Sequence, residues 1–101
     1  MEALQVLADP VRLGIVESLA REPAAVGVLA GRFPISRPAV SRHLRLLKDA
    51  GLVDSLSEGT RRVYRVRPEG VAALREYMDQ LWHEASARYV VAAENLDAEQ
   101  R

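Results

Sequence analysis

Arginine sets the chemistry this sequence can do. From Arg32 to Arg67, nine basic side chains (Arg32, Arg37, Arg42, Arg45, Lys48, Arg61, Arg62, Arg65 and Arg67) stand against three acids (Asp49, Asp54 and Glu58), a local balance of +6. The remainder of the chain holds five basic and eleven acidic residues, a balance of −6, so a formal net charge of +0 conceals a basic middle between acidic ends. Charge arranged in this way points to a localised face for a polyanion. Guanidinium groups pair with phosphate oxygens and offer a rigid fork to O6 and N7 of guanine. Two clusters concentrate them. One is Ser36, Arg37, Pro38, Ser41, Arg42 and Arg45, within ISRPAVSRHLRLLKDAGLV; the other is Arg61 and Arg62, within GTRRVYRV.

Other chemistries are poorly supplied. With no cysteine there is no disulfide framework, no thiolate metal site and no cysteine nucleophile. Two histidines and no Gly-rich phosphate loop give no credible catalytic constellation, so no enzyme, cofactor or metal is expected. The N-terminal MEALQVLADP lacks the basic start of a signal peptide, and no apolar run approaches the roughly 18 residues of a membrane span. A soluble, cytoplasmic protein is therefore expected.

A helix over 36–50 must position the first cluster. Ser36 is a good N-cap, Pro38 falls in the first turn, where its missing N–H is tolerated, and Gly51 terminates. At about 100° per residue, Val40, Leu44 and Leu47 share one side. Pro38, Arg42, Arg45 and Asp49 fall opposite, with Ser41 on the flank. Arg42 is the first candidate for a base-edge or phosphate contact, followed by Arg37 and Ser41. Ser36 combines N-cap with phosphate contact at the helix N-terminus. Arg45, further along, suits a phosphate. His43 projects at the edge of the apolar stripe, where packing or a backbone hydrogen bond is expected rather than a metal.

The flanking elements follow from local signals. Residues 1–8 read as a short helix. Asp9-Pro10 starts another, with Val11, Ile15 and Leu19 as its buried stripe, ending before Pro23. A further short helix is expected over Ala24 to Arg32, burying Val28 and Leu29. Phe33 and Ile35 should plug the core in the tight connection that follows. Two helices so joined, the second with an exposed basic face, make a helix-turn-helix. A hairpin over 52–67, turning at Glu58-Gly59-Thr60, adds a wing. Its outgoing strand opens with Arg61 and Arg62, which face opposite ways, suited to sugar-phosphate or a minor groove. Pro68 opens the last helix, expected to run to Glu94. There Val71, Leu74, Met78, Leu81 and Ala85 recur at spacings of 3 and 4, and Tyr77, Trp82 and Tyr89 widen the apolar surface. So small a domain has too little core for that helix, which implies a second copy.

LADPVRLGIVESLA, SRPAVSRHLRLLKDAGLV and GTRRVYRV together resemble the ArsR/SmtB-type winged-helix transcriptional regulators, over about residues 4–85. The resemblance implies a homodimer that binds operator double-stranded DNA and usually represses, released in many members by an inducer, here an unknown small molecule. It implies an interface built from the first and last helices, hence Leu4, Leu7, Leu74, Met78, Leu81, Trp82, Ala85 and Tyr89. The family's cysteine pair maps onto Ala25 and Gly27, which cannot ligate. The last helix offers a single histidine, His83, near Asp79 and Glu84. The chain thus resembles the metal-independent branch.

The expected fold is mostly α with a small β-hairpin wing (α+β), a dimeric winged helix-turn-helix over 1–95 with a polar tail, 96–101. The competing reading is a winged-helix protein-interaction adaptor without specific DNA binding.

Overall fold

The computed structural model describes residues 1–99. Eight elements follow one another: α1 (Glu2–Leu7), α2 (Pro10–Arg21), β1 (Ala24–Ala25), α3 (Val26–Ala30), α4 (Arg37–Asp49), β2 (Val53–Glu58), β3 (Arg61–Val66) and α5 (Pro68–Glu99).

Capping fixes the two helices that matter most. The Asp9 carboxylate accepts from the backbone N–H of Val11 at 2.8 Å and of Arg12 at 3.2 Å, opening α2. These hydrogen bonds, that of Arg12 foremost, lower the Asp9 pKa below the ordinary carboxylate value. Ser36 Oγ accepts from Ala39 N at 3.2 Å, opening α4. At the other end of α4, Gly51 sits at φ 78°, a conformation that costs glycine nothing, and lets the chain turn into β2.

The core collects one stripe from each element. Ile15 and Leu19 of α2, Leu29 of α3, Val40, Leu44 and Leu47 of α4, and Leu52 and Val53 at the entry to β2 are all buried. Phe33 and Ile35 pack against this cluster from the helix-turn-helix connection, as do Val11, Tyr64, Val66 and Leu74.

Two expectations about 24–32 are corrected. Ala24 and Ala25 are not helical; they form a third strand, antiparallel to β3 with Ala24 opposite Tyr64 and Ala25 opposite Val63, so the sheet order is β1-β3-β2. Pro23 disfavours the α region for Glu22, which lies at φ −160°, ψ 129°, and the chain arrives extended beside the free edge of β3. Val28, expected in the core, is 44% exposed. Within the five residues of α3, Leu29 takes the fully buried position, and Val26 and Ala30 pack at the margin of the core.

The hairpin pairs from Val53 with Val66 to Glu58 with Arg61, leaving Gly59 and Thr60 as the loop. Gly59, at φ 64°, is the first loop residue, where a two-residue hairpin turn requires a positive φ. The strand thus begins at Val53 rather than Leu52. Leu52 instead links the layers: its N–H donates to the Leu47 carbonyl, and its carbonyl accepts from Arg67 N.

The last helix continues through Glu99, beyond the expected end at Glu94, and includes the first residues of the stretch read as a tail; Gln100 and Arg101 lie outside the described residues. Its 32 residues reach about 48 Å at 1.5 Å per residue, the largest single contribution to overall dimensions of 72 × 26 × 21 Å. Its start is held by an unusually close approach. A Cβ on Gly70 would lie 2.0 Å from the Gly51 carbonyl oxygen, so α5 meets the end of α4 where no other side chain fits. Among the described residues no helix is long and apolar enough to cross a membrane.

Candidate nucleic-acid interface

The outer face of α4 is presented because its inner face is committed. Val40, Leu44 and Leu47 are each 0% exposed, which locks the rotation of the helix about its own axis. Arg37, Pro38, Ser41, Arg42 and Arg45 are consequently all exposed, as is the N-cap Ser36. The N-terminus of α4, with its partial positive charge and its orphan N–H groups, lies on this face.

Which cations already have a partner within the fold, charged or neutral, separates the site from the rest of the basic middle. Arg65 Nε donates to Asp54 at 2.8 Å across the hairpin, and that carboxylate raises the arginine pKa further. Arg67 pairs with Glu69 at 3.5 Å, and Arg32 donates to Ser18 Oγ at 2.9 Å. Among the described residues, no hydrogen bond or ion pair engages the side chain of Arg37, Arg42, Arg45 or Arg61. Unpartnered guanidinium groups therefore gather on the outer face of α4 and at the wing, and the sequence count of charge could not make this distinction.

The wing is tied to α4 through Ser55, a residue that no local sequence signal marks. Its Oγ accepts from Lys48 Nζ, in the last turn of α4, and from Arg62 on β3, both at 3.4 Å. Arg61 and Arg62 are both exposed, on opposite faces of β3. Tyr64 packs inward.

His43 is half-buried at the margin of the stripe, as expected, but its polar partner is a side chain rather than backbone: Nδ1 lies 3.4 Å from Arg12 Nη1. Among the described residues no three His, Asp or Glu side chains come together as a metal-holding group.

The expected contact residues of the terminal helices divide. Leu7 and Leu74 pack against the rim of the core, and Leu4 is half-buried. Met78, Leu81, Ala85, Trp82 (71% exposed) and Tyr89 (76% exposed) are exposed on α5 and, among the described residues, are not part of the core cluster.

Comparison with known proteins agrees with this architecture. A family model described as a helix-turn-helix domain matches residues 7–55. The chain is 52% identical over 97 residues to the HTH-type transcriptional regulator Rv2034 of Mycobacterium tuberculosis, spanning 96% of this chain and 88% of that protein. It is 31% identical to the arsenical resistance operon repressor of Escherichia coli, spanning 95% and 83% of the two chains. Among solved structures, a possible transcriptional regulator for arsenical resistance superposes with a TM-score of 0.75 at 43% identity, over 81% of this chain and 85% of the other. The homodimeric winged helix-turn-helix DNA-binding domain of a possible ArsR-family regulator from Mycobacterium bovis does so with a TM-score of 0.67 at 34% identity, over 82% and 77%. Fold, exposed basic helix, wing and relatives agree: the chain belongs to the ArsR/SmtB family of winged helix-turn-helix transcriptional regulators.

Proposed function

We propose that this chain works as a homodimeric repressor that binds an inverted-repeat operator, with no catalytic activity of its own. The observation carrying the proposal is the placement of unpartnered guanidinium groups. Arg42 and Arg45 stand on the face of α4 that the core leaves free, Arg37 is exposed in the first turn with its guanidinium beside Gly27 of α3, and Arg61 on the wing is equally unpartnered among the described residues. In this reading Arg42, with Arg37 and Ser41, enters the major groove and reads base edges. Ser36, Pro38 and the N-terminus of α4 lie against a phosphate, Arg45 meets the backbone further along, and Arg61 or Arg62 follows the sugar-phosphate chain or the minor groove. A two-fold axis along α5, with Met78, Leu81, Trp82, Ala85 and Tyr89 facing their counterparts and Leu4, Leu7 and Leu74 at the margin, sets two such helices on half-sites about 34–36 Å apart. The protein then acts in the cytoplasm with the DNA it controls, and a small-molecule inducer would lower its affinity for that DNA.

Gel retardation of the DNA upstream of its own gene tests this. Retardation at low salt is expected, with log affinity falling against log salt by about 0.9 per phosphate neutralised. No retardation at low salt, or affinity indifferent to salt, would reject DNA binding in favour of an adaptor.

A further inference from the structure

Arg12 reaches three elements with one side chain. It projects from the first turn of α2, and its side chain is 19% exposed. Nε donates to the Val6 carbonyl at 2.6 Å, one of the orphan carbonyls in the last turn of α1. Nη1 lies 3.9 Å from Asp9, the cap of α2, and 3.4 Å from Nδ1 of His43, midway along α4. A guanidinium only donates, so a hydrogen bond across this contact requires the His43 tautomer whose Nδ1 carries no proton. His43 directly follows Arg42, on the flank between the buried stripe and the exposed face of α4. α1 and α2 both pack on α4. Their apolar contacts fix which face of α4 is buried but leave room for small slides and changes of tilt, because dispersion is weakly directional. A hydrogen bond from a planar fork is directional and removes that freedom.

We propose that Arg12 is a positioning residue for DNA recognition, a strut between α1 and His43 that sets the tilt of α4 against the N-terminal helices. The proposal rests on the DNA-binding role argued above. In a dimer whose interface includes α1, the strut carries the geometry of the two-fold axis to the recognition helix. A rearrangement of the terminal helices then reaches Arg42 through Val6, Arg12 and His43 in turn.

Fluorescence anisotropy on the duplex retarded by the wild-type chain tests this, with four variants of the full chain. Arg12→Lys keeps the charge but loses the fork. His43→Leu keeps the packing volume but loses the acceptor, whereas His43→Asn can place its amide Oδ1 where Nδ1 stands. The fourth variant combines Arg12→Lys with His43→Leu. Arg12→Lys and His43→Leu should each weaken binding about tenfold, His43→Asn should remain near wild type, and the double variant should be no weaker than the weaker single one. The salt slope should stay at the wild-type value, since no phosphate contact is lost, and sedimentation should still show a dimer. Four results would overturn the strut: unchanged affinity in both single variants, additive losses, a shallower salt slope marking Arg12 as a direct phosphate ligand, or thermal midpoints low enough to account for the lost binding. If the wild-type chain binds no DNA, the DNA-binding role falls and the strut falls with it; wild-type binding with indifferent variants removes the strut alone.

Discussion

At the scale of single residues, the exposed arginines and the capping residues do separable work. Arg42 is exposed and makes no intramolecular hydrogen bond or ion pair among the described residues, so Arg42→Ala should leave the melting temperature unchanged. If Arg42 grips a guanine through both nitrogens, the substitution should cost about 1–3 kcal/mol in operator affinity and relax discrimination at one base pair, read by competition with singly substituted duplexes. The caps behave oppositely. Ser36→Ala removes the acceptor for Ala39 N–H and should cost about 1 kcal/mol in urea unfolding. Asp9 gives a dependence on pH. Its folded pKa is lowered, so the stability it contributes is fully present above the ordinary carboxylate value and is lost as pH falls through the lowered one. Asp9→Asn should therefore flatten the acid limb of the melting temperature plotted against pH.

At the scale of elements, α4 was legible because all it needed was local. Ser36, the 3.6-residue recurrence of Val40, Leu44 and Leu47, and Gly51 specify its start, its buried side and its end within one stretch of chain. The same recurrence implies the exposed side. Leu44→Ala should cost about 2–5 kcal/mol, measured by denaturant unfolding, because the side chain is fully buried and its site cannot fully collapse. β1 was not legible, since two alanines carry no strand signal. They become a strand because Pro23 delivers extended chain to an unpaired edge of β3. The junction of α5 with α4 was equally hidden. Gly70→Ala would drive a methyl group into the Gly51 carbonyl, so the chain must shift there, and a lower melting temperature is expected even though alanine is the better helix former.

At the scale of the whole molecule, α5 extends beyond its own domain. A monomer seldom leaves a tryptophan, two tyrosines and several aliphatic side chains exposed along one helix, and this exposure supports the proposal that a second copy covers the surface. Leu81→Glu would place a carboxylate in that surface and should shift the sedimentation profile from dimer to monomer while preserving the circular dichroism of the winged-helix core, which Leu81 does not enter. Loss of the dimer should also reduce operator affinity, because each half-site would then be bound independently.

The sequence by itself determined whatever depends on neighbours along the chain: the caps, the two-faced recognition helix, the hairpin turn at Gly59, and the concentration of positive charge between Arg32 and Arg67. Tertiary structure decided what depends on groups that meet only after folding. It neutralised Arg65 with Asp54 while leaving Arg37, Arg42, Arg45 and Arg61 without partners among the described residues. It also gave Ser55 to Lys48 and Arg62, and set Arg12 between Val6 and His43. The physical reason is one of range. Helical period and turn chemistry act over a few residues, whereas hydrogen bonds and ion pairs act over a few ångströms, and in this chain many of those short distances join residues far apart in sequence.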